Sequence, residues 1–161
     1  MSPTPVRFYD PGDTCADFTS SILVRCPRCD RIAHIERRPP TPTNADGGTR
    51  PQRRLVCRSC GLCRNDSRPF HFSRYPGACS YPTLWLRTGT RHGELWAYNL
   101  QHLDLIRRFV AADLRERAPW YDHGRKMTLV ARLPVWIKTA KNRDEVLRAV
   151  DRLRATVITP G

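Results

Sequence analysis

Two short cysteine pairs constrain this chain more than anything else in it: Cys26-Pro27-Arg28-Cys29 and Cys57-Arg58-Ser59-Cys60-Gly61. Two residues between cysteines let the backbone curl until both sulfurs point at one ion. Two such curls facing each other build a tetrahedral cage of four thiolates, which suits Zn²⁺. One C-x-x-C alone is as much a redox motif or a coincidence; two of them, each beside a strand-like run, specify a metal. Gly61 strengthens the reading, because the turn beyond a ligand pair often needs a positive φ. The spacing therefore predicts one structural Zn²⁺ on Cys26, Cys29, Cys57 and Cys60.

The other cysteines do not join this pattern. Cys63 stands three residues after Cys60, so Cys60/Cys63 is an alternative second pair. Cys57/Cys60 is preferred, because Gly61 follows it and a strand-like run precedes it. Cys63 with His71 and Cys79 could form a second metal set, but the spacings are irregular. Ordinary small apolar or exposed thiols explain them as well, and their role stays open. Cys15 reads as a free thiol. Seven cysteines, four in metal spacing, argue for a reducing, cytoplasmic setting rather than a disulfide scaffold. The start, MSPTPVRFYDPGD, lacks the basic and apolar blocks of a signal peptide. No run of about 18 apolar residues suggests a membrane span.

Net charge is +13 over 161 residues, and arginine outnumbers lysine 25 to 3. A GC-rich genome favours arginine codons, but codon bias does not create a surplus of positive charge. The surplus points to a polyanionic partner, nucleic acid before an anionic membrane. Arginine forks onto phosphate or guanine and stacks on bases, which lysine cannot do. The charge is uneven: −1 over residues 1–25, +7 over 26–80, +2 over 81–125 and +5 over 126–161.

The chain is predicted to be α+β: an N-terminal three-stranded zinc ribbon, then a β-hairpin and two to three helices. Residues 1–19 read as an irregular arm rich in Pro, Gly, Asp and Thr. Residues 20–64 read as the ribbon, with strands at Ser21–Arg25, Ile32–Arg37 and Arg53–Val56. Between them, residues 39–51 (PPTPTNADGGTRP) have no apolar anchor and read as a mobile loop. Residues 65–161 form the second domain. Within it, 64–83 reads as an irregular connector. Leu84–Thr88 and Glu94–Tyr98 read as a hairpin bringing Trp85 near Trp96. Asn99 reads as the cap of a helix ending near Arg117, with Leu103, Ile106, Val110 and Leu114 as its stripe. Lys126–Leu133 reads as a short helix. The last helix is capped by Asn142, with Glu145 as a capping-box partner.

Catalysis fits poorly. A metal held by four cysteines has no open position for water, and no nucleotide-loop, H-E-x-x-H or G-x-S-x-G motif is present. His34 reads as a surface or packing residue and His102 as part of a helix cap. His123 in YDHGR is the one acid/base-like cluster, which a turn of Asp, His and Gly explains equally. Trp85, Trp96, Trp120 and Trp136 read first as core. No small-molecule substrate is evident.

The segment of about residues 20–64, through CPRC at 26–29 and CRSCG at 57–61, resembles the TFIIB-type or rubredoxin-like zinc ribbons. Asp30, where such knuckles often carry Gly, and the 27-residue gap between the pairs depart from that pattern. The second half resembles uncharacterised bacterial zinc-ribbon proteins. The resemblance implies structural zinc and a role in transcription, RNA or ribosome binding, or protein docking. The expected function is regulatory or accessory nucleic-acid binding, on DNA or RNA, without catalysis. Phosphates would be met by Arg28, Arg31, Arg37, Arg38, Arg53, Arg54 and Arg58, with Lys138 and Lys141 on a second surface. The alternative is a protein-docking subunit holding an acidic partner in a larger complex.

Overall fold

The computed structural model describes residues 4–38, 53–66, 82–116 and 128–158. In chain order these form β1 (Arg7–Tyr9), β2 (Ser21–Arg25), β3 (Ile32–Arg37), β4 (Arg53–Val56), β5 (Cys63–Asp66), β6 (Arg87–Thr90) and β7 (Gly93–Trp96). Then come α1 (Leu100–Ala111), β8 (Leu114–Glu116), α2 (Leu129–Arg132), α3 (Val135–Lys138) and α4 (Arg143–Ile158). The protein is mixed α and β, with an antiparallel four-stranded sheet. It divides into two compact units: residues 19–86, and residues 1–18 together with 87–161. Among the described residues no helix is long and apolar enough to cross a membrane.

In the first unit, β2, β3, β4 and β5 form an antiparallel meander in chain order. Strand alternation decides its faces. The register places Ile22 opposite Ile35, Ile35 opposite Leu55, and Val24 opposite Ala33. These five side chains share one face and are at most 2% exposed. Leu84 adds an antiparallel bridge to Val24. Around it, the Arg25 amide donates to Thr83 O (2.8 Å) and the Trp85 amide to Leu23 O (2.9 Å). The sequence predicts three strands here; the sheet has four. Cys63-Arg64-Asn65-Asp66 carries no strand-like pattern, and its pairing comes from the turn before it. The chain reverses at Cys57–Cys60, and the Cys57 amide donates to Leu62 O (2.8 Å), which lays β5 along β4.

In the second unit, the hairpin pairs Arg87 with Trp96 and Thr90 with Gly93. It starts later than the sequence suggests, because Thr83–Trp85 is already bonded to β2. In the hairpin's register the residue opposite Trp96 is Arg87. The Arg25 guanidinium lies over Trp85, 4.9 Å from its centroid, while Trp96 packs on Tyr98 and His102. Asn99 caps α1, its side-chain oxygen accepting from the His102 amide (2.9 Å) and its amide donating to Phe18 O (2.8 Å).

Helix α1 stops at Ala111 rather than near Arg117, because the next residues are taken by other elements. Asp113 accepts from the Val6 amide (3.1 Å) and donates its own to Val6 O (2.9 Å). Arg143 reaches both Asp113 and Ala112 O at 2.9 Å. The chain leaves as β8 and pairs in parallel with β1, within the stretch that composition reads as an irregular arm. Helices α1 and α4 bury Leu103, Ile106, Val110, Val146, Val150 and Leu153. Across them, Arg107 pairs with Asp151 (3.1 Å) and Arg154 with Asp104 (3.8 Å). Four helices are described against the two to three expected, α2 and α3 being single turns on either side of Pro134. Asn142 turns its amide onto Trp136 O (2.9 Å), and Glu145 pairs with Arg91 (2.7 Å) and His92 (3.5 Å). The loop expected at 39–51, and His71, Cys79, Trp120 and His123, lie outside the described residues.

Candidate metal centre

The four-stranded sheet is built from two successive hairpins, each turning on a C-x-x-C. The backbone bonds of the two turns match position by position. The Cys26 amide donates to Arg31 O (2.8 Å) and the Asp30 amide to Cys26 O (2.9 Å). The Cys57 amide donates to Leu62 O (2.8 Å) and the Gly61 amide to Cys57 O (3.0 Å). Asp30 and Gly61 occupy the same place in this motif, and both are left-handed, with φ of 58° and 71°. The first turn thus holds an aspartate in the conformation for which the second uses glycine. Asp30 tolerates it partly through its ion pair with Arg25 (3.1 Å).

That equivalence yields a paired expectation. No atom lies within 4 Å of a Cβ built on Gly61, so Gly61→Ala should cost about 1 kcal/mol from backbone strain alone. Asp30→Gly should be neutral or stabilising by up to about 0.5 kcal/mol, since relief of strain outweighs an exposed ion pair. Thermal melts of the metal-loaded variants check both. A large loss in Asp30→Gly would show that the aspartate side chain, rather than its backbone, holds the turn.

The two turns bring all four sulfurs within 4.8 Å of one another. Cys26 Sγ lies 3.6 Å from Cys60 Sγ, and Cys29 Sγ lies 3.6 Å from Cys57 Sγ. Sulfurs each about 2.3 Å from a tetrahedral ion are about 3.8 Å apart, close to these separations, so the four residues could hold a metal ion. Cys26 and Cys57 are buried, while Cys29 and Cys60 are half-buried. Backbone amides already aim at the sulfurs: Arg28 N is 3.4 Å from Cys26 Sγ.

The thiols hold unequal affinities for protons. Burial pushes Cys57 up, but the amides of Cys60 and Ser59 and the neighbouring Cys29 and Cys26 outweigh it and hold it at about 6. At Cys29 the Arg31 amide pulls down; burial and the three other sulfurs override it, raising the thiol to about 12. One thiolate is thus favoured and the next is resisted by its neighbours. A cation at the centre removes that resistance, so metal binding releases protons. Cys63 begins β5 and is exposed, apart from the cluster.

The arginines expected to meet phosphate divide. Arg28 and Arg58 are exposed on the two turns, Arg31 is exposed just after the first, and Arg37 and Arg38 are exposed at the other end of β3. Arg53 donates to Thr19 O (3.2 Å), and Arg54 pairs with Glu36 (3.6 Å). Lys138 donates its ammonium to Ala131 O, while Lys141 is exposed; both belong to the other unit. The sequence reading missed Arg64, exposed on β5. Recognising that the strand–turn–strand pattern of residues 21–37 recurs 31 positions later would have found it. Comparison with protein-family models, with curated proteins and with solved structures finds no match to this chain.

Proposed function

We propose that the chain is a zinc-ribbon nucleic-acid-binding protein. One structural Zn²⁺ on Cys26, Cys29, Cys57 and Cys60 locks the sheet, and the arginines of residues 19–86 contact phosphate. Zinc is the natural occupant of four thiolates in tetrahedral spacing. With all four positions filled by sulfur, the ion has no site for substrate, so its work is structural.

The observation that carries the nucleic-acid reading is where charge goes unpaired. In the second unit seven of the eleven described arginines meet an acid: Arg7 meets Glu116, Arg87 Glu94, Arg91 Glu145, Arg107 Asp151, Arg108 and Arg154 Asp104, and Arg143 Asp113. Arg115 is bonded to carbonyls, and Arg132, Arg148 and Arg152 have no acid partner among the described residues. In residues 19–86 the two carboxylates whose side chains are described, Asp30 and Glu36, go to Arg25 and Arg54. Among the described residues, Arg28, Arg31, Arg37, Arg38, Arg58 and Arg64 then have no acid partner. Zn²⁺ with four thiolates carries two net negative charges, which offsets only part of this surplus. Lys138 gives one hydrogen bond to the Ala131 carbonyl and keeps its charge and its other two donors.

Binding of the zinc-loaded protein to a fluorescent oligonucleotide should weaken steeply with salt. Five phosphate contacts on a duplex predict a log–log slope of about −4.5. Anisotropy titrations between 50 and 300 mM KCl, at concentrations on the order of the nonspecific range, measure it. Absence of binding at the lowest salt would overturn the proposal. A stoichiometric acidic protein partner that survives nuclease would favour the docking alternative.

A further inference from the structure

Apart from Arg64 on β5, the unpaired arginines of the sheet lie in two groups. Arg28, Arg31 and Arg58 surround the turns at the metal end, and Arg37 and Arg38 lie where β3 finishes. Arg37 lies six positions after Arg31, at the far end of β3. At about 3.3 Å per strand residue the groups are about 20 Å apart.

Little positive charge lies between them on the face opposite the apolar one. The register places Leu23, His34, Val56 and Cys63 in one row across that face, and Ser21, Glu36, Arg54 and Asn65 in the next. Glu36 and Arg54 neutralise each other (3.6 Å). Burial, and then the field of Arg58, pushes His34 down, so it is neutral at physiological pH. Arg64, in register with Leu55, lies on the apolar face, where alternation also places Arg37; Arg38, the next residue, falls on the opposite face, the one on which His34 feels the field of Arg58.

A single strand offers one row of phosphates and is best held by a continuous basic track. A duplex offers two rows, separated by a groove about 12 Å wide in the major groove of B-DNA. Two groups about 20 Å apart, carried on long side chains, suit two rows flanking such a gap. We propose that the sheet straddles a groove of a double-stranded nucleic acid, the metal-end arginines holding one phosphate row and Arg37 and Arg38 the other. The inference rests on the nucleic-acid reading above and gives it a substrate class. Contacts of this kind are to backbone, so the binding is insensitive to sequence.

The test uses the full zinc-loaded chain and three fluorescent probes: a 20-base-pair DNA duplex, the RNA duplex of the same sequence, and the single DNA strand. At least one duplex is expected to bind at least tenfold more tightly than the single strand, and the tighter duplex identifies the source. Arg28→Ala/Arg58→Ala and Arg37→Ala/Arg38→Ala should each weaken the duplex and lower its salt slope by about 1.8, two contacts' worth. Zinc content and melting temperature confirm that these exposed substitutions leave the fold intact. The proposal is overturned if the single strand binds as tightly as both duplexes. It is also overturned if one double variant abolishes the salt slope while the other leaves it unchanged. Binding by none of the three probes overturns the nucleic-acid reading as well.

Discussion

Cys29→Ser is expected to abolish metal binding at the four-cysteine centre and to unfold the sheet of residues 19–86, rather than merely loosen it. Magnitude decides this. Apparent binding energies of structural zinc in small modules are about 10–16 kcal/mol and appear as folding energy. A core of this size rarely supplies more than about 3–5 kcal/mol by itself. The described core of this unit is Ile22, Leu23, Val24, Ala33, Ile35, Leu55, Leu84 and Leu86. It has no disulfide among its described cysteines to compensate. Hydrogen exchange at β2–β5 should lose its protection in the variant, and in the native protein after chelation. Metal analysis should show one zinc per chain in the native protein and none in the variant. Cys63→Ser is the control, since its exposed thiol lies outside the cluster. A Cys29→Ser variant with full zinc content and an unchanged melt would refute the four-ligand centre.

The second large effect is expected on acidification, at His102. This ring is 3% exposed and packs against Phe18, Trp96 and Tyr98 at centroid distances of 5.2–5.7 Å. Its Nδ1 accepts from the Tyr98 amide (3.2 Å), so the neutral ring carries its proton on Nε2. Burial lowers its pKa from 6.5 to about 4. The unfolded chain therefore takes up a proton between these values and the folded protein does not. Stability from this group is complete above pH 6.5 and declines as pH falls toward 4. The loss is about 3 kcal/mol for a depression of this size. His102→Gln keeps an acceptor for the Tyr98 amide but cannot be protonated. It should be less stable at pH 7.5 yet lose less on going to pH 4.5. Denaturant melts at the two pH values measure this, and an unchanged pH dependence in His102→Gln would remove His102 as the cause. Asp113 adds a smaller effect of the same sign at lower pH. Its bond from the Val6 amide, then Arg143, holds its carboxyl below the usual range.

The parts of the fold that could be read from sequence are those whose reasons are local. The first three sheet strands are runs of β-branched and apolar residues beside turns, and their bounds match the expectation. The Asn99 cap was readable because a short polar side chain meets the free amides of a helix start. Spacing alone brought Cys26, Cys29, Cys57 and Cys60 together. What escaped is what depends on distant partners. Strand β5 has no aliphatic or aromatic residue and exists because β4 offers an edge. Helix α1 ends six residues before Arg117 because Val6 and Arg143, far away in sequence, claim the groups that would extend it. The unpaired state of an arginine is equally nonlocal. Arg54 and Arg58 are four residues apart, yet only Arg54 meets a carboxylate, because β3 places Glu36 opposite it.

The parallel ladder between β1 and β8 has a consequence for how the chain emerges from the ribosome. Val6 and Asp113, which bond each other, are 107 residues apart. At translation rates of about 5–20 residues per second, the first strand waits about 5–20 s for its mate. By then every residue of the 19–86 insert has been synthesised, and its thiols can already have captured their cation. On the proposed zinc reading, metal supply during synthesis would govern the first half of the chain, whereas closure of the flanking segments is a late event set by the length of what separates them.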